Sequence, residues 1–173
     1  GIDKILEISV KYIGEIFRFI QTAQRTDTEI DAFLREIGVS QATWDDYTRE
    51  FFNSESRNDA LLLILEKAKK SGALIVFTTN NSAGLQTVIE KYGIADVADI
   101  TINSSEMLVA KPDDAFWQLA IRETQKLRPT IHPSEILVID DGAANCASAI
   151  RNGMQSLLYA PASSDATLET MLT

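Results

Sequence analysis

The sequence predicts an α/β protein, a doubly wound parallel sheet preceded by a small N-terminal helical subdomain. Three observations predict it. In the first third of the chain apolar residues recur every three or four positions, the period of an amphipathic helix. From residue 73 onward that period is interrupted by short unbroken apolar runs at 73–77 and 136–139, as expected of parallel strands covered on both faces. Helical patterns separate those runs, so that strand and helix alternate as far as residue 159.

The elements follow in order. Ile13, Ile16, Phe17 and Ile20 mark a first helix; Ile30, Phe33, Leu34 and Ile37 a second; Trp44, Tyr47 and Phe51 a third. Thr26 with Glu29 fits a capping box before the second, Gly38 ends it, and Ser40 caps the third. A fourth helix over 59–70 carries Leu61, Leu62, Leu65 and Ala68 on one side. It closes on Lys67, Lys69 and Lys70, whose charge suits a helix C-terminus, before Ser71-Gly72 breaks it. After the 73–77 strand, a helix over 82–92 presents Leu85, Val88, Ile89 and Tyr92, with Gly93 as its stop. A weaker strand spans 99–103, and a helix starting at Pro112 or Asp113 carries Phe116, Leu119 and Ala120. The 136–139 strand, a helix over 143–152 and a strand over 156–159 complete the alternation, and 165–173 adds one or two helical turns.

With 173 residues, 45% of them apolar, the chain can bury one core with a small appendage. Sixteen basic against 25 acidic residues give a net charge of −9, which offers no positive field for a nucleic acid. A single cysteine, Cys146, cannot close an internal disulfide, and no apolar run nears the roughly 20 residues of a membrane span. No signal-peptide pattern opens the sequence. The expectation is a cytoplasmic protein with neither a nucleic-acid nor a membrane partner.

In open α/β sheets ligands gather beyond the carboxyl ends of the strands, where helix N-termini direct N–H groups outward. Thr79 and Asp140 stand at such ends. The Thr79 hydroxyl, with the N–H of Asn80 beside it, can donate to a phosphate oxygen; Lys111, followed by Pro112, can neutralise charge on a transferring phosphoryl group; Asp140 and Asp141 can hold a hard cation through oxygen. Each residue alone has a plainer role as a cap, a loop charge or a turn. Their order is the more specific signal, with Asn145 four residues after Asp141.

On these three stretches, Phe77-Thr78-Thr79-Asn80-Asn81, AKPDDAFWQLAI at 110–121 and ILVIDDGAANCASAIRNGM at 136–154, the chain resembles the haloacid dehalogenase-like (HAD-like) hydrolase superfamily. The likeness is to the branch with a helical cap between the first and second motifs. It implies a Rossmann-type core from residues 1–7 and 57–173 with a cap over 8–56. It further implies that Thr79 binds phosphate, that Lys111 stabilises the phosphoryl group and the nucleophile, and that Asp140 with Asp141 holds Mg²⁺. The acidic pair favours a phosphate ester over a haloacid, because dehalogenases of this superfamily are similar but replace it with serine and asparagine. The substrate implied is a small phosphorylated metabolite, hydrolysed through an aspartyl-phosphate.

The family's first motif is the departure. Laid on it, Asp3 takes the place of the second aspartate, general acid and then base as well as metal neighbour, while Gly1 falls on the nucleophile. That motif ends a central strand, between those closing on Thr79 and Asp140. Either a further segment or another chain supplies the strand, or the flanking strands close on each other. The alternative function is a catalytically inactive domain of the same fold that binds phosphate or protein. A receiver domain uses similar residues, but in the reverse order.

His132, with no second histidine or cysteine nearby, is no metal ligand, and Cys146 and Trp117 read as core. Trp44, Tyr47, Phe51 and Phe52 read as packing residues that could also line a substrate-facing surface of the cap.

Overall fold

The computed structural model describes residues 15–16, 18–19, 25–54, 56–81, 85–160 and 164–172. Gly1, Asp3 and most of the first helical pattern, including Ile13, Phe17 and Ile20, lie outside the described residues. The side chains of Phe51 and Phe52 do too. Glu15, Ile16, Arg18 and Phe19 are helical.

Helix α1 (Asp27–Glu36) starts at the expected capping box: Thr26 accepts from the N–H of Glu29, and the Glu29 carboxylate accepts from the N–H of Thr26. The chain leaves it through Gly38, whose φ of +76° is a left-handed conformation that costs glycine little. Ser40 caps α2 (Gln41–Ser54) by accepting from Thr43. Ile16, Leu34 and Val39 form the buried centre of this region, with Ile30, Phe33, Ile37 and Trp44 packed against them. Trp44 stacks on Tyr47 at 5.7 Å, both half-buried.

Helix α3 (Asp59–Lys70) is capped by Asn58, which accepts from Leu61 N–H and which the sequence reading did not name. Then come β1 (Val76–Thr79), α4 (Leu85–Tyr92), a short α5 (Ile94–Val97) and β2 (Ile100–Asn103). Next are α6 (Ser104–Met107), α7 (Asp114–Leu127), a 3-10 turn (Pro133–Glu135) and β3 (Leu137–Asp140). Helix α8 (Ala143–Arg151), β4 (Gln155–Leu158) and α9 (Asp165–Leu172) finish the described chain. Among the described residues no helix is long and apolar enough to cross a membrane.

The alternation of parallel strands and helices is the predicted α/β class, but among the described residues the sheet is in two parts. Strand β1 pairs in parallel with β2, from Val76 opposite Ile100 to Thr79 opposite Asn103. Strand β3 pairs in parallel with β4, from Leu137 opposite Gln155 to Asp140 opposite Leu158. The two halves share no strand pairing among the described residues, so the flanking strands have not closed on each other.

Strand β1 also begins later than its apolar run and ends on two threonines. Ladder partners decide this: Thr78 and Thr79 face Ile102 and Asn103, whereas residues 73–75 have no strand partner, and β-branched threonine suits a pleated surface. The core lies between the layers, built from Ile102 of β2, Phe116, Trp117 and Ala120 of α7, Val138 of β3, Ala149 of α8 and Met154. Side chains as large as Phe116 and Ile102, about 1% exposed or less, each contribute roughly 1.5–3 kcal/mol of burial. Phe116 meets Trp117 edge to face at 5.4 Å.

Candidate functional site

Both β1 and β3 end at Lys111, which lies on the loop leading into α7. Its Nζ donates to the carbonyl of Thr78 at 3.2 Å and to Asp140 Oδ2 at 2.7 Å. The Lys111 and Asp140 side chains are 10% and 5% exposed, which makes this a well-shielded ion pair. The lysine loop is held from below by Asn80. Its amide donates to the Lys111 carbonyl at 2.8 Å and its carbonyl oxygen accepts from the Lys111 N–H at 2.9 Å, so one side chain satisfies both main-chain groups. The Lys111–Pro112 bond is cis.

Asp140 is the most engaged group of the site. Its Oδ1 accepts from Gly142 N–H and from the Asn145 amide, each at 2.8 Å. Burial would raise its pKa, but the bond and charge of Lys111, with Asn145 and the Gly142 N–H, outweigh that and hold the carboxyl below its ordinary value. It is a carboxylate at neutral pH. Gly142 leaves room for these bonds: a Cβ there would stand 2.8 Å from Asn145 Nδ2 and 3.0 Å from Asp140 Oδ1, so the Asn145 amide would have to shift. Cys146, buried one turn into α8, donates its thiol to the Asp140 carbonyl at 3.4 Å, in keeping with a structural role.

Of the predicted residues, the structure thus joins Lys111 to Asp140 and brackets Lys111 with Asn80. Thr79 ends β1, half-buried, next to the carbonyl that Lys111 contacts. Asp141, one residue beyond Asp140, is exposed, so the acidic pair divides into a buried and an open carboxylate. Asp3 lies outside the described residues. The sequence reading missed the Asn80 amide and the Asn145 bond to Asp140. Ser104, which accepts from Asn81 N–H at 3.2 Å where β2 ends, was missed too. Only Asn145 had a signal, its place on the first turn of the helix after the acidic pair.

No group of three or more His, Cys, Asp or Glu side chains gathers among the described residues. Mg²⁺ commonly takes one or two protein carboxylates and fills its shell with water and phosphate oxygens. The all-oxygen donors of Asp140 and Asp141 fit that habit.

A sequence model of the haloacid dehalogenase-like hydrolases matches residues 4–153. The chain belongs to that family. Among curated proteins none matches it by sequence. The HAD-like chain is similar to a predicted HAD-like family hydrolase from Porphyromonas gingivalis, with a TM-score of 0.76 at 18% identity over 99% of this chain and 88% of that one. It is also similar to a HAD family enzyme from Bacteroides thetaiotaomicron solved in complex with magnesium and inorganic phosphate. That likeness has a TM-score of 0.66 at 20% identity over 93% of this chain and 85% of that one. A dehalogenase solved as an intermediate complex gives 0.57 at 19% identity over 89% of this chain and 66% of that one. At such identities the likeness carries the fold.

Proposed function

We propose that this HAD-like chain carries the phosphate and Mg²⁺ cradle of a phosphatase-like hydrolase acting on a small phosphorylated metabolite. The observation that carries the reading is the shielded contact of Lys111 Nζ with Asp140 Oδ2 at 2.7 Å, where β1 and β3 end together. Lys111 is placed to oppose charge on a phosphoryl group, and a fixed cation in a shielded site acts more strongly than one in water. The Thr79 hydroxyl would bind a phosphate oxygen beside it. Asp140 and Asp141 would hold Mg²⁺, which when bound polarises the phosphoryl oxygens. The magnesium and phosphate in the B. thetaiotaomicron relative support the same chemistry here.

Hydrolysis through an aspartyl-phosphate needs a carboxylate to attack phosphorus while the alcohol leaves with a proton. Asp3 is the proposed proton donor, and the attacking carboxylate is not among the described site residues. A site that binds without hydrolysing is the second reading, favoured by the engagement of both Asp140 oxygens with protein donors.

Calorimetric titration with inorganic phosphate, with and without Mg²⁺, alongside hydrolysis of a generic aryl phosphate, tests both. Mg²⁺-dependent phosphate binding is expected, weakened at least about tenfold in Lys111→Met, as for loss of a hydrogen bond to a charged group. Binding without turnover supports the second reading. Phosphate binding or hydrolysis that keeps its Mg²⁺ dependence in Asp140→Asn would overturn the metal assignment.

A further inference from the structure

Tyr159 joins three elements at the end of the sheet where Asp140 stands. It follows β4, whose Leu158 lies opposite Asp140, and its N–H donates to the Asp140 carbonyl at 2.9 Å. Its hydroxyl is engaged twice: it accepts from the Asn58 amide at 2.7 Å and donates at 2.7 Å to Oδ1 of Asp165, the first residue of α9. A hydroxyl held between a donor and an acceptor at such distances has a fixed place. Asn58 works in two directions as well, since its Oδ1 accepts from Leu61 N–H at 3.0 Å to cap α3 while its amide reaches a tyrosine 101 residues further along the chain. That contact falls at a junction. Helix α2 ends at Ser54 and α3 begins at Asp59, and between them Ser56 and Arg57 are exposed. Asn58 therefore ties the chain, as it arrives from α1 and α2, to the end of β4.

We propose that Tyr159 is a positioning residue: its hydroxyl pins the start of α3 to the end of β4, and so fixes the root of the helical region α1–α2 beside the face that holds Lys111 and Asp140. Without the hydroxyl, the Asn58 amide and the Asp165 carboxylate lose their common partner, and the segment before α3 is free to open on its own while β4 keeps its ladder bond to Asp140. The consequence for a ligand rests on the proposed function. Inorganic phosphate is small enough to be held by Lys111 and the Mg²⁺ carboxylates alone, whereas the organic group of a phosphate ester extends past them toward the elements that the pin holds. The pin itself does not depend on that reading.

Limited trypsin digestion of the full chain reads the pin directly, because Arg57 immediately precedes Asn58. Cleavage after Arg57 needs only local opening at the start of α3, whereas cleavage after Arg151, exposed at the end of α8, reports opening of the α/β core. Fragment masses separate the two. Tyr159→Phe removes the hydroxyl alone, and cleavage after Arg57 relative to Arg151 is expected to rise about fivefold, the effect of one net hydrogen bond on an opening equilibrium. Asn58→Ser keeps a capping oxygen for α3 but is too short to reach Tyr159, so it should give the same ratio, and the double variant no larger one. In Tyr159→Phe, calorimetry with Mg²⁺ present should show unchanged affinity for inorganic phosphate and severalfold weaker binding of phenylphosphonate, which cannot be hydrolysed. An unchanged cleavage ratio in both single variants would overturn the pin, and so would cleavage rising in step at both sites, which marks a residue of general stability only. Phosphonate binding that stays level with phosphate binding would overturn the positioning role. If the unaltered chain binds no phosphate, the proposed function fails and the digestion still decides the pin.

Discussion

At the scale of single residues, Gly142 governs the state of Asp140. A methyl group on it would meet Asn145 Nδ2 at 2.8 Å, and the only group free to yield is the Asn145 amide, which would swing away from Asp140. Gly142→Ala is therefore expected to cost about 1 kcal/mol of stability, the net worth of one such bond, and to weaken Mg²⁺-dependent phosphate binding severalfold. Asn145→Ala should do the same, and the double variant should cost no more than either alone, since both remove one interaction. Denaturation midpoints and titration calorimetry check this, and additive losses would refute the coupling. The sequence made the trio of Thr79, Lys111 and Asp140 visible because strand ends and the Lys-Pro step are local features. Asn80 was not visible as the bracket of Lys111, since the two are 31 residues apart and meet only through the path of the chain. Nor could adjacency show that Asp140 is buried and Asp141 exposed; that depends on where β3 stops.

At the scale of elements, the segments leading into β1 and β2 are stapled by one residue. Asp99 N–H donates to the Ile75 carbonyl, the Ile75 N–H donates to Asp99 Oδ2 at 2.7 Å, and Lys69 of α3 stands 3.1 Å from the same carboxylate. The Ile75 N–H, with Lys69, holds the Asp99 carboxyl below its ordinary value of 3.8 in spite of some desolvation. A carboxyl depressed in the folded state stabilises it at pH values above the unfolded pKa, and that contribution is lost as pH falls through the lower folded pKa. Asp99→Asn should lower the denaturation midpoint at neutral pH and flatten its fall in acid. Urea titrations at several pH values read both. An unchanged acid limb would show that Asp99 is not a source of that dependence. Element boundaries were the less legible part of the sequence. The run over 73–77 predicted a strand in the right place, but its residues 73–75 lead into the ladder rather than form it, because β2 offers no partner before Ile100. Helices α5 and α6, each of four residues, were too short to show a period.

At the scale of the whole molecule, the α/β class was legible because parallel strands require intervening helices, and that alternation is written in the apolar pattern. The division of the sheet among the described residues was not legible, since the sequence reading left open whether the two strands flanking the first motif close on each other. The division bears on how the chain assembles. Partners across β1 and β2 are 24 residues apart, and those across β3 and β4 are 18 apart, so each half-sheet closes over a modest loop of its own. Segments of that kind can open and close as separate cooperative units, and among the described residues no strand pairing joins the halves. Native-state hydrogen exchange in low denaturant should therefore resolve two opening free energies, one for amides of β1 and β2 and one for those of β3 and β4. A single shared value would contradict this. Early formation of two local halves, with their docking as the last step, is the folding order predicted by a sheet divided in this way among the described residues.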